Sequence, residues 1–340
     1  MNDTPPKTPT EPTAPGLHDL PASARRRRMP EGVYVPMLAF FDPETEEVDI
    51  PATQRHAARL VHAGVSGLVL HGSNGEAVHL SRAERSAIIQ AVADTVRHEH
   101  FDISTPFPVV AGCGAQSVRE TVELCREAAE AGATHALVLP PGYYAGMLGR
   151  EHIRAFFVDV ARRSPLPVLV YNFPGAANGV DLDSDAVCAL AREDNIVGVK
   201  LTCGNTGKLA RVAARTAKLR ADFFVAGGSA DFILQGAVAG AHGTIAGLAN
   251  LGPRSCVRIL KLFRQGRLDE ARDLQATVAD ADWVAIKYGF VGVKGGMPLF
   301  WGKGEPGLVP RRPCKAMTAQ AMQEFEEGSA GLVEVERALR

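Results

Sequence analysis

The sequence has few of the features that mark membrane, nucleic-acid-binding or disulfide-stabilised proteins. No apolar run reaches the roughly 18 residues of a membrane-spanning helix. The formal net charge of -1 provides no electrostatic basis for binding nucleic acid or a membrane surface. The six cysteines contain no Cys-x-x-Cys pair, and no secretory leader is recognisable. We therefore expect a reduced intracellular protein, cytoplasmic rather than mitochondrial.

Patterns for metals and nucleotides are also missing. His98 and His100 have no further ligands at a spacing typical of zinc sites. No glycine-rich dinucleotide fingerprint follows the first predicted strand. We therefore expect no metal site, and the missing fingerprint gives no support to an open doubly wound sheet.

The first 29 residues differ in composition from the rest of the chain. They are rich in Pro and Thr, lack hydrophobic periodicity and end near four consecutive arginines at 25–28. Acidic residues at positions 3, 11 and 19 argue against a mitochondrial presequence. We predict that residues 1–29 form a disordered tail.

Eight short apolar runs alternate with amphipathic helical stretches along the remaining chain. The runs span 33–38, 67–70, 108–112, 136–140, 167–171, 196–200, 222–226 and 243–247. Ser81 and Ser117, each with Glu three residues later, predict capping boxes at two of the helices. The alternation indicates parallel strands with right-handed crossovers, and eight units fit a (β/α)8 TIM barrel, with an open doubly wound sheet as the alternative.

The predicted domain organisation follows from these patterns. Residues 30–265 form the barrel, and residues 266–340 form a C-terminal helical extension packed on it. Catalytic residues of such barrels lie at the C-terminal ends of the strands. In this chain those positions include "HGSNGE" at 71–76, "PPGYYAG" at 140–146 and "AGGSAD" at 226–231.

Lysine is absent from residue 8 to residue 199, where arginine supplies the basic surface. Lys200 is the only lysine in the eight predicted strands, and it ends the sixth. A lysine that reaches water along an apolar stem explains most strand-end lysines. However, an amine in a dry pocket can lose its proton and act as a nucleophile, which a guanidinium cannot do. We therefore interpret Lys200 as a candidate catalytic amine.

Tyrosine and small polar residues occur at the same predicted edge. Three of the five tyrosines, Tyr143, Tyr144 and Tyr171, follow or end strands. They could pack as amphipathic rings, or a phenol could relay protons beside an imine-forming lysine. Ser73 and Asn74 could form a simple turn, or they could bind a substrate carboxylate.

Four motifs in this order resemble the dihydrodipicolinate synthase / N-acetylneuraminate lyase family of class I pyruvate aldolases. They are "GSNGE", "PPGYYAG", "YNFPG" at 171–175 and "GVKLTCG" at 198–204, and the resemblance covers about residues 31–327. It implies that Lys200 forms a Schiff base with a small 2-oxo acid and that Tyr171 is the acid/base phenol. Neither a metal nor an organic cofactor is implied, because the iminium is the electron sink.

The resemblance implies roles for five further residues. Ser73 and Tyr144 would complete a hydroxyl relay, with Tyr144 reaching across a subunit interface of a homo-oligomer, most simply a tetramer. Ser73 and Asn74 would hold the pyruvoyl carboxylate. Gly227 and Ile245 would line the pocket.

The sequence departs from family members that synthesise dihydrodipicolinate. Those members carry an arginine shortly after the proline of the Tyr-Asn-x-Pro motif, whereas Pro174 is followed here by Gly, Ala, Ala and Asn. The Ser-Asn pair and "KLTCGNTGK" are more similar to the branch of 4-hydroxy-2-oxoglutarate aldolase and fungal L-threo-3-deoxy-hexulosonate aldolase. We expect cleavage of a 2-oxo-3-deoxy-4-hydroxy acid to pyruvate and an aldehyde. L-threo-3-deoxy-hexulosonate is the first candidate substrate.

Parts of this pattern are also compatible with other functions. The first alternative is an aldolase that cleaves 4-hydroxy-2-oxoglutarate. The second is a 4-hydroxy-tetrahydrodipicolinate synthase. A metal-dependent lyase would need carboxylate and histidine ligands at the strand ends, where Glu76 is the only carboxylate in the motifs of the first six strands. A catalytically silent barrel acting as a binding protein is the non-enzyme alternative.

Overall fold

Eight parallel strands close into a barrel, and a helix follows each strand, which confirms the predicted (β/α)8 fold. The strands are β1 (Gly32–Pro36), β2 (Gly67–Leu70), β3 (Val109–Gly112), β4 (His135–Val138), β5 (Val168–Asn172), β6 (Ile196–Leu201), β7 (Phe224–Gly227) and β8 (Gly243–Ile245). The barrel helices are α1 (Ile50–His62), α2 (Arg82–Glu99), α3 (Val118–Glu130), α4 (Arg150–Arg163), α5 (Ser184–Leu190), α6 (Thr206–Leu219), α7 (Ile233–Val238) and α8 (Pro253–Arg264).

The structure, a computed structural model, describes residues 28–100, 107–302 and 308–340. Residues 1–27 of the predicted tail lie outside the described residues. Met29, within the predicted tail, is buried in the same cluster as Tyr34 of β1. The Tyr34 hydroxyl donates to the Pro30 carbonyl at 2.6 Å. The packed barrel therefore includes Met29.

Two apolar layers stabilise the barrel. The outer layer lies between the strands and the surrounding helices. The inner layer consists of Met29, Tyr34, Val69, Val110, Leu137, Leu169, Tyr171, Val197, Phe224, Ala226 and Ile245. Since all eight strands contribute to it, the barrel interior is a packed core, and ligands are confined to its mouth.

Local hydrogen bonds explain where the helices begin. At α2, the Ser81 hydroxyl accepts from the Glu84 N–H while the Glu84 carboxylate accepts from the Ser81 N–H, which confirms a full capping box. At α3, the Ser117 hydroxyl accepts from the Glu120 N–H at 3.2 Å. The reciprocal bond from the Glu120 side chain is not among the hydrogen bonds of the described residues, so this helix has only half of the predicted box.

The pairing of β5 with β6 contains a register shift. Val168 pairs with Ile196, but Leu169 pairs with Gly198, so β6 has one extra residue at this point. Strict alternation from the inward-facing Val197 would turn Lys200 outward, since successive side chains point to opposite faces. The extra residue reverses the alternation of side chains along β6. Lys200 therefore faces the same side as Tyr171 and lies opposite it.

Two further helices follow the barrel, as predicted. They are α9 (Leu268–Trp301) and α10 (Ala319–Ala338). Helix α9 packs along α8 and α10. It is interrupted at Gly289, whose backbone has φ 59° and ψ -150°. No helix in the described ranges is both long enough and apolar enough to cross a bilayer.

Candidate active site

A cavity of about 550 Å³ opens at the C-terminal ends of the strands. Its lining residues come from the C-terminal ends of β5 and β6, from the segments after β2, β5, β6, β7 and β8, and from one face of α9. This is the end of the barrel where the motifs predicted a site. Four of the predicted residues, Ser73, Asn74, Tyr171 and Lys200, line this single cavity.

Lys200 and Tyr171 form the polar centre of the cavity. Each side chain is only 2% exposed. Lys200 Nζ donates to Tyr171 Oη at 3.2 Å and lies 4.3 Å from the centre of the phenol ring. Phe173 stacks on Tyr171 with ring centres 5.8 Å apart. Among the described residues no carboxylate forms an ion pair with Lys200, so the phenol is its hydrogen-bonding partner. A proton can therefore pass between the amine and the phenol directly.

The loop after β2 brings Ser73 and Asn74 to the cavity. A Cβ on Gly75 would lie 3.0 Å from the Met37 carbonyl oxygen, so the tight turn favours glycine at this position. A Cβ on Gly247 would lie 3.0 Å from Asn74 Oδ1, which shows that the Asn74 amide packs against the segment after β8. The Asn74 side chain thus lies on the β8 side of the site.

Three predicted residues lie elsewhere. Tyr144 is 61% exposed, packs edge-to-face against Tyr143 with ring centres 4.9 Å apart, and is not among the cavity-lining residues of this described chain. Gly227 and Ile245 are buried in the barrel wall and do not line the cavity either. Gly228 and Gly247, close to them in the chain, line it instead.

A carboxylate that the sequence analysis missed also lies in the wall. Asp282 of α9 is 3% exposed. Its Oδ2 accepts from the Ser229 hydroxyl at 2.5 Å and from the N–H groups of Ala230 and Asp231 at 2.7 and 2.9 Å. Burial raises the pKa of Asp282 to about 6; the Ser229 hydrogen bond opposes this rise, and the nearby Asp231 carboxylate adds to it. Asp282 therefore anchors the loop after β7 to α9.

Helix α9 contributes a whole face to the cavity. The lining residues on this helix are Asp282, Ala285, Ile286, Gly289, Phe290 and Val293. Their spacing of three or four residues is that of one helix face. This spacing was a usable signal in the sequence. It indicated a packed face, however, without showing that the face covers a cavity.

Glu76 of the "GSNGE" motif is buried below the loop and does not line the cavity. It forms an ion pair with Lys294 of α9, and both side chains are fully buried. Glu76 Oε2 also accepts from the Arg311 N–H at 3.0 Å, and the Lys294 ammonium lies 4.5 Å from the centre of the Phe41 ring. Burial lowers the pKa of Lys294, while the Glu76 carboxylate opposes the change. Lys294, although buried like Lys200, is thus part of a structural ion pair.

No group of three or more His, Cys, Asp or Glu side chains is arranged to hold a metal ion within residues 28–100, 107–302 and 308–340.

Comparison with known proteins agrees with this geometry. Residues 29–328 match the Dihydrodipicolinate synthetase family. The chain belongs to this family. It is 48% identical, over 92% of its length and 98% of the relative's, to a protein of Emericella nidulans named "Probable 4-hydroxy-2-oxoglutarate aldolase, mitochondrial". It is 44% identical, with the same coverage, to the L-threo-3-deoxy-hexylosonate aldolase of Hypocrea jecorina.

Solved structures of the family are also similar. A dihydrodipicolinate synthase family protein from Coccidioides immitis superposes with a TM-score of 0.83 at 36% identity, covering 92% of this chain and 99% of the other. The prophage protein YagE of E. coli, solved with pyruvate, has a TM-score of 0.77 at 27% identity and covers 91% and 98%. The chain is therefore a class I pyruvate aldolase of this family, and the non-enzyme alternative is set aside.

Proposed function

We propose that the protein cleaves a 2-oxo-3-deoxy-4-hydroxy acid to pyruvate and an aldehyde through an imine on Lys200. The observation that carries this proposal is the 3.2 Å contact between Lys200 Nζ and Tyr171 Oη in the wall of the cavity. It combines a buried amine, which can attack a ketone, with a phenol that can move protons beside it.

The reaction follows from these two groups. The Lys200 amine adds to the C2 ketone, and the Tyr171 hydroxyl gives its proton to the C2 oxygen, which leaves as water; an iminium forms and Tyr171 becomes the phenolate. Tyr171, as the phenolate, takes the proton of the C4 hydroxyl, the C3–C4 bond breaks, and its electron pair forms an enamine as the aldehyde departs. Protonation of the enamine at C3 and addition of water at C2 then release pyruvate and restore the amine.

The remaining predicted roles belong to this proposal. Ser73 and Asn74 would hold the substrate carboxylate on the β8 side of the cavity. Tyr144, exposed in its own subunit, would complete the hydroxyl relay in a neighbouring subunit, which makes a homo-oligomer, most simply a tetramer, part of the proposal. Gly227 and Ile245 would shape the pocket indirectly, through the strand ends that present Gly228 and Gly247.

The charge of the cavity favours a neutral aldehyde. Among the described residues its lining contains one lysine and two aspartates but no arginine, so nothing except the imine-forming amine would pair with a second carboxylate. An unpaired anion is costly to desolvate. We therefore propose L-threo-3-deoxy-hexulosonate, which yields pyruvate and L-glyceraldehyde, ahead of 4-hydroxy-2-oxoglutarate. Synthesis of 4-hydroxy-tetrahydrodipicolinate ranks last.

A substrate panel with a trapping experiment tests the function. Pyruvate with borohydride should add mass at Lys200, and Lys200→Arg should abolish both the adduct and turnover because a guanidinium does not form the imine. Pyruvate release should have a higher kcat/KM with L-threo-3-deoxy-hexulosonate than with 4-hydroxy-2-oxoglutarate. A tenfold preference for the latter, about 1.4 kcal/mol in transition-state binding, would reverse the substrate assignment while leaving the imine intact.

The relatives bear on the compartment as well. Two of them, from Emericella nidulans and Coccidioides immitis, are named as mitochondrial proteins, so the cytoplasmic location expected from the sequence gains no support from them. Import of the full chain into isolated mitochondria, followed by protease treatment, distinguishes the two compartments.

A further inference from the structure

Lys208, the last residue of the "KLTCGNTGK" motif, has no part in the proposed mechanism, yet its side chain is only 4% exposed. Its Nζ donates to Asp181 Oδ1 at 2.5 Å. The same carboxylate oxygen accepts from Asn172 Nδ2 at 2.8 Å. A buried ammonium on α6 is therefore connected, through one carboxylate, to the residue that follows Tyr171.

Asn172 is fully buried at the end of β5 and is bonded on two sides. Besides the bond to Asp181, its Oδ1 accepts from the Leu182 N–H at 2.9 Å. Its main-chain carbonyl accepts from the Thr202 N–H at 2.9 Å. The side chain thus attaches the end of β5 to the segment before α5, and the main chain attaches it to the segment after β6.

The charges of this network favour its persistence. A buried ammonium is costly without a counter-ion, so Lys208 holds the half-exposed Asp181 carboxylate in place. Burial favours the neutral form of Asp181, but the hydrogen bonds from Lys208 and Asn172 outweigh it and lower the pKa of this carboxyl group. The carboxylate therefore stays charged and keeps both of its donors.

The network lies directly beside the reacting pair. In the ladder between β5 and β6, Tyr171 pairs with Lys200, and Asn172 pairs with the next residue along β6. Tyr171 Oη makes no hydrogen bond other than that with Lys200 in the described part of the chain. The backbone of β5 and the packing of the ring on Phe173 therefore decide where the hydroxyl lies.

We propose that Asn172, supported by Asp181 and Lys208, is a positioning residue that keeps the Tyr171 hydroxyl within hydrogen-bond distance of the Lys200 amine. None of the three supporting residues belongs to the lining of the active-site cavity among the described residues, so they act through Tyr171. This inference rests on the role of Tyr171 in the proposed function. A displaced phenol slows the proton transfers but leaves the groups that bind the substrate in place.

The first test is Asn172→Ala, assayed by pyruvate release from L-threo-3-deoxy-hexulosonate per folded enzyme. We expect kcat to fall at least about tenfold, because small displacements of a reacting group cost large factors in rate. KM should stay within about threefold of wild type, because the lost contacts are outside the cavity. If this variant does not accumulate as folded protein by circular dichroism, Asn172→Asp keeps the size of the side chain and replaces the donor facing Asp181 with an acceptor.

A matched control lies at the opposite end of the barrel, just before β6. Asn195 Nδ2 donates to the carbonyls of Ala161, Ser164 and Leu166 at 2.9, 3.3 and 3.0 Å. Asn195→Ala removes a similar set of hydrogen bonds from the same pair of strands, far from Tyr171. It should lower the free energy of unfolding in urea but leave kcat per folded enzyme within twofold of wild type.

A double mutant tests whether Lys208 acts through Asn172. Lys208→Met alone should lower kcat by about threefold or more, since the buried partner of Asp181 is lost. In the Asn172→Ala background the same change should alter kcat by less than about twofold, because residues of one network are not additive. Equal effects of Lys208→Met in both backgrounds would overturn the proposed connection.

The outcomes separate this inference from the function on which it rests. If wild type forms the borohydride adduct at Lys200 but kcat of Asn172→Ala falls by less than tenfold, or only KM changes, the positioning role is wrong and the imine mechanism stands. If Asn195→Ala loses as much kcat as Asn172→Ala, the effect is one of general stability and the proposal is also overturned. If wild type forms no adduct at Lys200, the proposed function itself fails.

Discussion

At the scale of single residues, the proposed chemistry depends on the hydroxyl oxygen of Tyr171, which accepts a hydrogen bond from the Lys200 amine. Tyr171 and Lys200 are direct partners across the β5–β6 ladder, and the only hydrogen bond that Tyr171 Oη makes in the described structure is to Lys200 Nζ. Tyr171→Phe keeps the ring that packs on Phe173 but removes the proton relay. We expect turnover to fall by roughly 10²- to 10⁴-fold, with the circular dichroism spectrum unchanged.

Tyr288 serves as the matched control for this substitution. Its hydroxyl donates to Glu324 at 2.6 Å on the outer surface, away from the cavity lining. Tyr288→Phe should keep the wild-type rate of pyruvate release. A Tyr171→Phe rate within a few-fold of wild type would remove the phenol from the mechanism.

At the scale of secondary-structure elements, helix α9 is attached to the loop after β2 by the Glu76–Lys294 pair. Lys294→Met would leave the Glu76 carboxylate buried without its ammonium partner. We expect a loss of about 3–5 kcal/mol in the free energy of unfolding, because an unpaired buried charge is strongly destabilising. Urea denaturation followed by tryptophan fluorescence measures this loss.

The same helix offers the control. Lys287 pairs with Glu324 at 3.7 Å, and both side chains are more than one-third exposed. Lys287→Met should change the free energy of unfolding by less than about 1 kcal/mol, since exposed pairs contribute little. Equal losses for the two variants would show that α9 is not held by the buried pair.

At the scale of the whole molecule, the exposed aromatic residues after β4 bear on assembly. Tyr143, Tyr144 and Met147 are each more than half exposed, although large apolar side chains are more often buried. If Tyr144 acts in a neighbouring subunit, one active site needs Lys200 from one chain and Tyr144 from another. Light scattering should then show an oligomer, since a shared site requires at least two subunits and most homo-oligomers have closed symmetry.

Mixed oligomers test the shared site. Lys200→Arg and Tyr144→Phe should each be poorly active alone. After the two proteins are dissociated and reassembled together, some sites combine an intact Lys200 with the partner subunit's intact Tyr144, and activity should recover. Reassembly of each variant with itself is the control. A fully active monomer, or a mixture without recovery, contradicts the shared site.

The fold and part of the site were predictable because the relevant patterns are local. Each unit of the fold is a short apolar run, which forms a strand, followed by an amphipathic stretch, which forms a helix. When eight such units close into a barrel, the order of the strands and the handedness of their connections are fixed. Residues that end neighbouring parallel strands must then meet at one edge. For this reason the sequence alone predicts that four residues separated by up to 127 positions lie at the same end of the barrel: Ser73, Asn74, Tyr171 and Lys200.

Other features depended on long-range packing that local patterns do not encode. The extra residue in β6 that turns Lys200 toward Tyr171 is visible only in the pairing of two strands. In the sequence, Asp282 is indistinguishable from other helix residues, and only the packing of α9 against the cavity shows that it lines the wall. Lys294 likewise has a structural role only because it pairs with Glu76, 218 positions earlier in the chain. A carboxylate or an ammonium takes its properties from the groups around it, and tertiary structure alone brings those groups together.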